Sequence, residues 1–368
     1  MPSLSEVYRA YPVHIQHKHP DLNSLQELPE SYTWTQLEEH ANNHPSNCSP
    51  NESVPVIDLN DPNASKLIGH ACITWGVYQV VNHGTPMTLL DDIQWVGETL
   101  FSLPSHQKHK AARSPDGVDG YGLARISSFF PKLMWSEGFT IVGSPLERFR
   151  QLWPQDYNKY CDIVMQYDET MKKLAERLMW LMMESLGITK EDLKWDQFKK
   201  TCAALQLNSY PTCPDPDRAM GLAAHTDSTL LTILYQNNIS GLQVHRKGTG
   251  WVTVPPVPGG LVVNVGDLFH ILSNGLYPSV LHRVLVNRIQ QRLSVAYLCG
   301  PPPNVKICPH EKLVGPNQPP LYKSVTWNEY LGTKAKHFNK ALSTVRVCAP
   351  LSDLFDVNET LRNSEQVG

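Results

Sequence analysis

The chain has 368 residues, 41% hydrophobic and 18% charged, ordinary values for a soluble globular protein long enough to bury a sizeable core. Lys and Arg (32) nearly balance Asp and Glu (35), for a formal charge of −3, which speaks against nucleic acid and against an anionic membrane as partner. No apolar stretch approaches the roughly 20 residues of a bilayer span, and the opening "MPSLSEVYRAYPVHIQHKHPDL" has no apolar h-region, so a cytoplasmic protein is expected.

Residues 1–50 are polar and rich in Pro and His, and read as a partly ordered extension. The "HIQHKH" stretch (His14, His17, His19) has no further ligand-rich stretch nearby and is read as a solvated tail. Residues 51–195 read as an N-terminal α/β region packing on the core. In it, "VPVIDL" (Val54–Leu59) is a strand, Asp61-Pro62-Asn63 a turn, and Leu67, Ile68 and Ala71 mark one face of a short helix. "VYQVVNHG" (Val77–Gly84) is a second strand, and Pro86 opens a helix reaching about Ser102. Residues 114–150 are punctuated by Gly and Pro yet rich in aromatics. They read as a long loop, either a binding loop or one stapled to the core by its rings. From Asp156 to Leu186, Tyr160, Val164, Tyr167, Met171, Leu174, Leu178 and Leu181 step by three and four. That stripe predicts a long helix packed on a sheet, with a dimer seam as its other use.

Residues 196–310 change texture. "AALQLNSY", "TLLTILYQ", "LQVH", "WVTV", "LVVNVG", "LFHILS", "HRVLVN" and "LSVAYLC" are short, β-branched or aromatic, and bounded by Gly, Pro, Asn or Asp. Many short strands at close spacing predict a double-stranded β-helix (jelly roll) core flanked by helices, in a mixed α and β fold. Residues 311–368 hold a final helix, "SVTWNEYLGTKAKHFNKAL", and a loose tail. Eight cysteines (Cys48, Cys72, Cys161, Cys202, Cys213, Cys299, Cys308, Cys348) form no C-x-x-C pair and read as reduced thiols. No exposed apolar seam is evident, so a monomer is expected.

The chemistry begins at "AHTDSTLLTIL", where an imidazole and a carboxylate, His225 and Asp227, stand at the head of a buried strand. Strand residues two apart share a face. His282, heading "HRVLVN", is the candidate third ligand. Two histidines and one carboxylate on one side of an ion leave positions open, which suits non-haem Fe(II) better than a closed zinc site. Taken singly each motif has a plain alternative: an Asx-capped turn for His225-Thr226-Asp227, a backbone-satisfied core histidine for His282. Arg292-Leu293-Ser294 shifts the balance, because a guanidinium and a hydroxyl on one face form a receptor for a carboxylate. Arg125-Ile126-Ser127 has the same spacing but lies in the aromatic loop. Asn208 and Tyr210, two apart before Pro211, are further hydrogen-bonding groups at a strand end.

Together His225-x-Asp227, His282, Arg292-x-Ser294 and Asn208-x-Tyr210-Pro211 resemble the plant 2-oxoglutarate and Fe(II)-dependent dioxygenase family. "VPVIDL" and "WGVYQVVNHG" resemble its N-terminal region. "GYGLARISSFFPKLMWSEGFTI" and "NSYPTCPDPDRAMGLAAHTDSTLLTILYQNNISGLQV" resemble its gibberellin 3-oxidase branch. The resemblance implies an enzyme in which His225, Asp227 and His282 hold Fe(II). Arg292 and Ser294, with Tyr210 and Asn208, would take 2-oxoglutarate, and O2 and a gibberellin would be the other substrates. Tyr121, Arg125, Phe129, Phe130, Lys132, Trp135 and Phe139 are the candidate substrate residues, Arg125 or Lys132 meeting the gibberellin carboxylate. Alternatives are the same chemistry at another gibberellin carbon or on a flavonoid, and a jelly roll that binds metal and ligand without turnover.

Overall fold

In the computed structural model, which describes residues 20–34, 53–114, 117–189, 191–192, 201–302 and 304–347, two sheets face each other across an apolar interior. The larger is built from β1 (Val56–Asp58), β2 (Val77–Val81), β3 (Gly120–Gly122), β4 (Glu137–Ile141), β5 (Cys202–Tyr210), β7 (Leu231–Gln236), β10 (Leu261–Val265) and β12 (Arg292–Gly300), in the order β1-β2-β10-β7-β12-β5-β4-β3. The smaller holds β6 (Met220–His225), β8 (Leu242–Arg246), β9 (Gly250–Thr253) and β11 (His282–Leu285), in the order β6-β11-β8-β9. All these pairings are antiparallel except β1 with β2. His14, His17 and His19, most of the 1–50 extension, Cys48, Cys348 and the C-terminal tail lie outside the described residues.

Register sorts the side chains between two cores, because alternate strand residues face opposite ways. Phe139, Leu207, Val295 and Tyr235 share one rung across β4, β5, β12 and β7. They pack under helices α1 (Ala64–Thr74), α2 (Met87–Ser102), α3 (Leu146–Leu152) and α4 (Tyr157–Ser185). The adjacent rung, Gly138, Asn208, Ser294 and Gln236, points between the sheets. There Tyr210, Val244, Val252, Val262 and Val284 form the second cluster. The expected stripe of α4 is buried from Tyr160 through Leu178, on the sheet and on α1 and α2, so it is spent inside the chain. Each such buried apolar side chain contributes about 1.5–3 kcal/mol. At Gly97 a Cβ would stand 2.9 Å from Leu293 Cδ1; glycine lets α2 lie directly on β12.

Two expectations change. The stretch 114–150 is not one loop: it carries β3, β4 and a 3-10 turn, Arg125–Phe129. β4 is buried at every position and lacks the alternation that marks a half-exposed strand. "LFHILS" is not a strand but most of helix α5 (Asp267–Leu272). It is buried on nearly every side, and a short apolar run in such a place has no period to read. The strands of the N-terminal region join the large sheet, β1 and β2 at one edge and β3 and β4 at the other. Within the extension, Leu22 and Tyr32 are buried, Tyr32 edge-on to Trp135 at 5.4 Å. The final helix is α6 (Trp327–His337), opened by a Thr326–Glu329 capping box. It ends at Phe338, whose φ of 45° no helix continues. Among the described residues six cysteines are free, and no helix is long and apolar enough to cross a membrane.

Candidate metal and co-substrate site

The last residue of β6 is His225 and the first of β11 is His282, and the two strands pair with these residues directly opposite. Directly opposed residues put their side chains on the same face, and the two rings lie 4.2 Å apart. Each imidazole is aimed from behind: His225 Nδ1 donates to Ala223 O at 2.8 Å and His282 Nδ1 to Val280 O at 3.2 Å. That bond fixes the tautomer and leaves Nε2 with a lone pair for a metal. Both Nε2 atoms stand 3.7 Å from Asp227 Oδ1, and the three ligand atoms lie within 4.8 Å of one another. Asp227 Oδ2 is buried without a hydrogen-bond partner, and an orphaned carboxylate oxygen beside two imidazole lone pairs suits a divalent cation.

Burial, and then the neighbouring His282, push His225 down to about 3. Burial alone would raise Asp227, but the two histidines together with Thr232 and Lys334 outweigh it and hold the carboxyl below its ordinary value. Both groups are therefore in their ligand forms at neutral pH. The same shift predicts how the metal-free protein responds to acid. As pH falls from about 6.5, the ordinary value, toward about 3, the unfolded chain takes up a proton on His225 that the folded chain refuses, and stability falls. Urea midpoints measured across this window should fall less steeply for His225→Asn than for the wild type; equal slopes would remove His225 as a contributor.

The second half of the site lies on the large sheet. Arg292 pairs with Tyr210 and Ser294 with Asn208, which places all four on the inner face. Arg292 is 1% exposed. Its Nη2 donates to Gln236 Oε1 at 2.8 Å, and its Nε and Nη1 have no partner. The Tyr210 ring lies 5.1 Å from the guanidinium, its hydroxyl bonding to Arg292 and Ser294. On another side a Cβ at Gly241 would stand 3.0 Å from Arg292 Cδ. Burial lowers the Arg292 pKa, and only Tyr210 opposes it. A buried cation without a carboxylate partner is costly, and a guanidinium with unused N–H donors suits a carboxylate ligand. Asn208 Oδ1 accepts from Gln206 at 3.0 Å on the same face.

The expected substrate residues separate. Tyr121 and Phe139 sit opposite each other on the outer face, in the helical core, with Tyr121 donating to Glu137 at 3.0 Å; they do not reach the triad. Trp135 is fully buried in the inter-sheet core and donates to Pro211 O at 3.2 Å. Lys132 is tied to Glu30 at 2.7 Å, and Arg125 donates to Gly117 O. Phe129 and Phe130 both meet Phe338 of the C-terminal segment, Phe129 stacked at 4.6 Å and Phe130 edge-on at 5.4 Å. Phe130 and Ile126 pack with Met134, Leu222 and Ala223, and Ala223 supplies the carbonyl that aims His225. Gln236, Ile126, Met134 and Phe338 escaped the sequence reading. Gln236 ends a strand-like run with the parity of its partner Ser294, a relation visible only once the register is known.

Residues 201–301 match the 2OG-Fe(II) oxygenase superfamily, and residues 54–156 match the N-terminal region described for the non-haem dioxygenase in morphine synthesis. Gibberellin 3-beta-dioxygenase 1 of Pisum sativum is 76% identical over all of both chains. Gibberellin 3-beta-dioxygenase 1 of Arabidopsis thaliana is 60% identical, over 93% of this chain and 98% of that one. The crystal structure of JOX2 in complex with 2OG, Fe and JA superposes with a TM-score of 0.75 at 31% identity, covering 91% of this chain and 100% of that one. A rice dioxygenase for auxin oxidation superposes at 0.68, with 25% identity over 80% of this chain and 100% of that one. The chain belongs to the 2OG-Fe(II) oxygenase superfamily, with Fe(II) as its metal and 2-oxoglutarate as its co-substrate.

Proposed function

We propose that this enzyme hydroxylates gibberellin precursors at the 3β position, consuming O2 and 2-oxoglutarate and releasing succinate and CO2. The 76% identity to the pea gibberellin 3-beta-dioxygenase over the whole chain carries the substrate. The convergence of His225, Asp227 and His282, with a buried Arg292 whose Nε and Nη1 have no hydrogen-bond partner, supports the assignment of roles.

In this reading His225, Asp227 and His282 hold Fe(II) from one side. Bound there, the metal supplies the redox chemistry of dioxygen activation and oxidative decarboxylation. Arg292 and Ser294, with the Tyr210 hydroxyl, grip the far carboxylate of 2-oxoglutarate, while Asn208 faces its chelating end. Gln236 holds the guanidinium in position for that grip. Ile126, Phe129, Phe130, Met134 and Phe338 roof the mouth with apolar surface suited to a polycyclic substrate. The chain is further read as a monomer acting in the cytoplasm, which sedimentation and a fluorescent fusion would check.

Incubation with a precursor lacking the 3β-hydroxyl, O2, Fe(II) and 2-oxoglutarate should yield one new hydroxyl at C3 and one succinate per turnover. A hydroxyl at another carbon, or turnover of a flavonoid alone, would replace the substrate assignment. Ligand retention without succinate would favour the non-catalytic alternative.

A further inference from the structure

Behind the triad lies a buried polar cluster that none of the roles above uses. Asp267, at the start of α5, is fully buried. Its Oδ2 accepts from Thr226 Oγ1 at 3.1 Å, from Tyr330 OH at 2.7 Å and from Lys334 Nζ at 2.8 Å. Lys334 Nζ also donates to Thr226 Oγ1. Thr226 is the residue between His225 and Asp227, and the Asp267 backbone N–H donates to the Asp227 carbonyl at 2.8 Å. Tyr330 and Lys334 are one helical turn apart on α6, so one face of the C-terminal helix meets Asp267 twice, and Lys334 also reaches the ligand turn. The same helix is anchored next door: Trp327 Nε1 donates to Ser228 O at 2.6 Å, and a Cβ at Gly300 would stand 2.4 Å from the Trp327 ring. The turn Thr226–Ser228 is thus fastened by hydroxyl, backbone and carbonyl to two elements that contribute no metal ligand.

We propose that Lys334 and Asp267 are positioning residues for the metal: their ion pair, gripping Thr226, holds His225 and Asp227 at the separation a single ion requires. The physical reason is local. Asp227 lies beyond the end of β6, on a turn rather than in the ladder; Thr232 bonds to its carboxylate, but its Oδ2 has no hydrogen-bond partner. An imidazole on a strand is placed by the sheet; a carboxylate on a turn has to be placed by something else. Here that is a buried, charge-assisted cluster, the geometry in which such bonds are strongest.

This inference rests on the reading of His225, Asp227 and His282 as the metal ligands. The test is Co(II) titration of the metal-free full-length protein, followed by its ligand-field absorption, for the wild type, Thr226→Val, Lys334→Met and the double variant. Outer partners of metal ligands are worth about 10–100-fold in metal affinity. Thr226→Val and Lys334→Met should each weaken Co(II) by about tenfold or more and alter its absorption envelope, and the double variant should lose little more than the worse single. Thr226→Val preserves shape and carries the test should Lys334→Met fold poorly. A merely structural role would lower the unfolding midpoint and leave Co(II) affinity within about twofold, and that result would overturn the proposal. Failure of the wild type itself to bind Co(II) would instead overturn the ligand assignment beneath it.

Discussion

Asp227→Ala should eliminate succinate formation even with excess Fe(II), while the metal-free variant stays folded. Two neutral imidazoles remain, and the anionic member that balances a dication is gone. Because outer partners alone are worth 10–100-fold, the loss of an inner ligand should exceed about 100-fold in turnover. The urea midpoint of the metal-free protein should fall modestly. Against burial, which would raise it, His282, His225, Thr232 and Lys334 together hold the Asp227 carboxyl below its ordinary value, so its charge is net favourable in the fold at neutral pH. Succinate release and urea midpoints measured on the same preparation check both halves. Turnover above about a tenth of the wild type in the variant would show that Asp227 is not a ligand.

Arg292→Ala should raise the KM for 2-oxoglutarate by a factor corresponding to about 2–5 kcal/mol, the scale for losing one partner of a buried charge pair. The variant leaves Ser294 and the Tyr210 hydroxyl facing a carboxylate with no cation, and it leaves Gln236 without its donor. The gibberellin KM should change far less, since none of these groups belongs to the apolar cluster proposed to take that substrate. Kinetics with each substrate varied in turn separates the two. A 2-oxoglutarate KM shifted less than tenfold, roughly 1.4 kcal/mol, would count against Arg292 as the anchor.

What could be read before any coordinates divides along physical lines. The long helix was legible because seven apolar residues step alternately by four and three from Tyr160 to Leu181. The pair Arg292/Ser294 was legible because a strand repeats every two residues and needs no partner to do so; His225 and Asp227 were paired by the same rule, although β6 ends at His225 and Asp227 stands on the turn after it. Pairing across strands was not legible. Tyr121 and Phe139 looked like pocket residues because the loop around them is aromatic, yet β3 and β4 turn them to the helices. Gly122 and Gly138, on the rung beside them, face the interior instead, and only register decides which rung does. "LFHILS" failed for a related reason: a segment buried all round has no polar side to mark its period. Lys334 had no signal at all, since a lysine on an amphipathic helix reads as solvated until a buried Asp267 is found beneath it.

The rung shared by His225 and His282 ties the centre to strand alignment. Backbone pairing of β6 with β11 is what sets the two imidazoles side by side. Sliding β11 by one residue along β6 would turn one ring to the opposite face, so a substitution that slips this register should abolish the centre while leaving every ligand residue in the sequence.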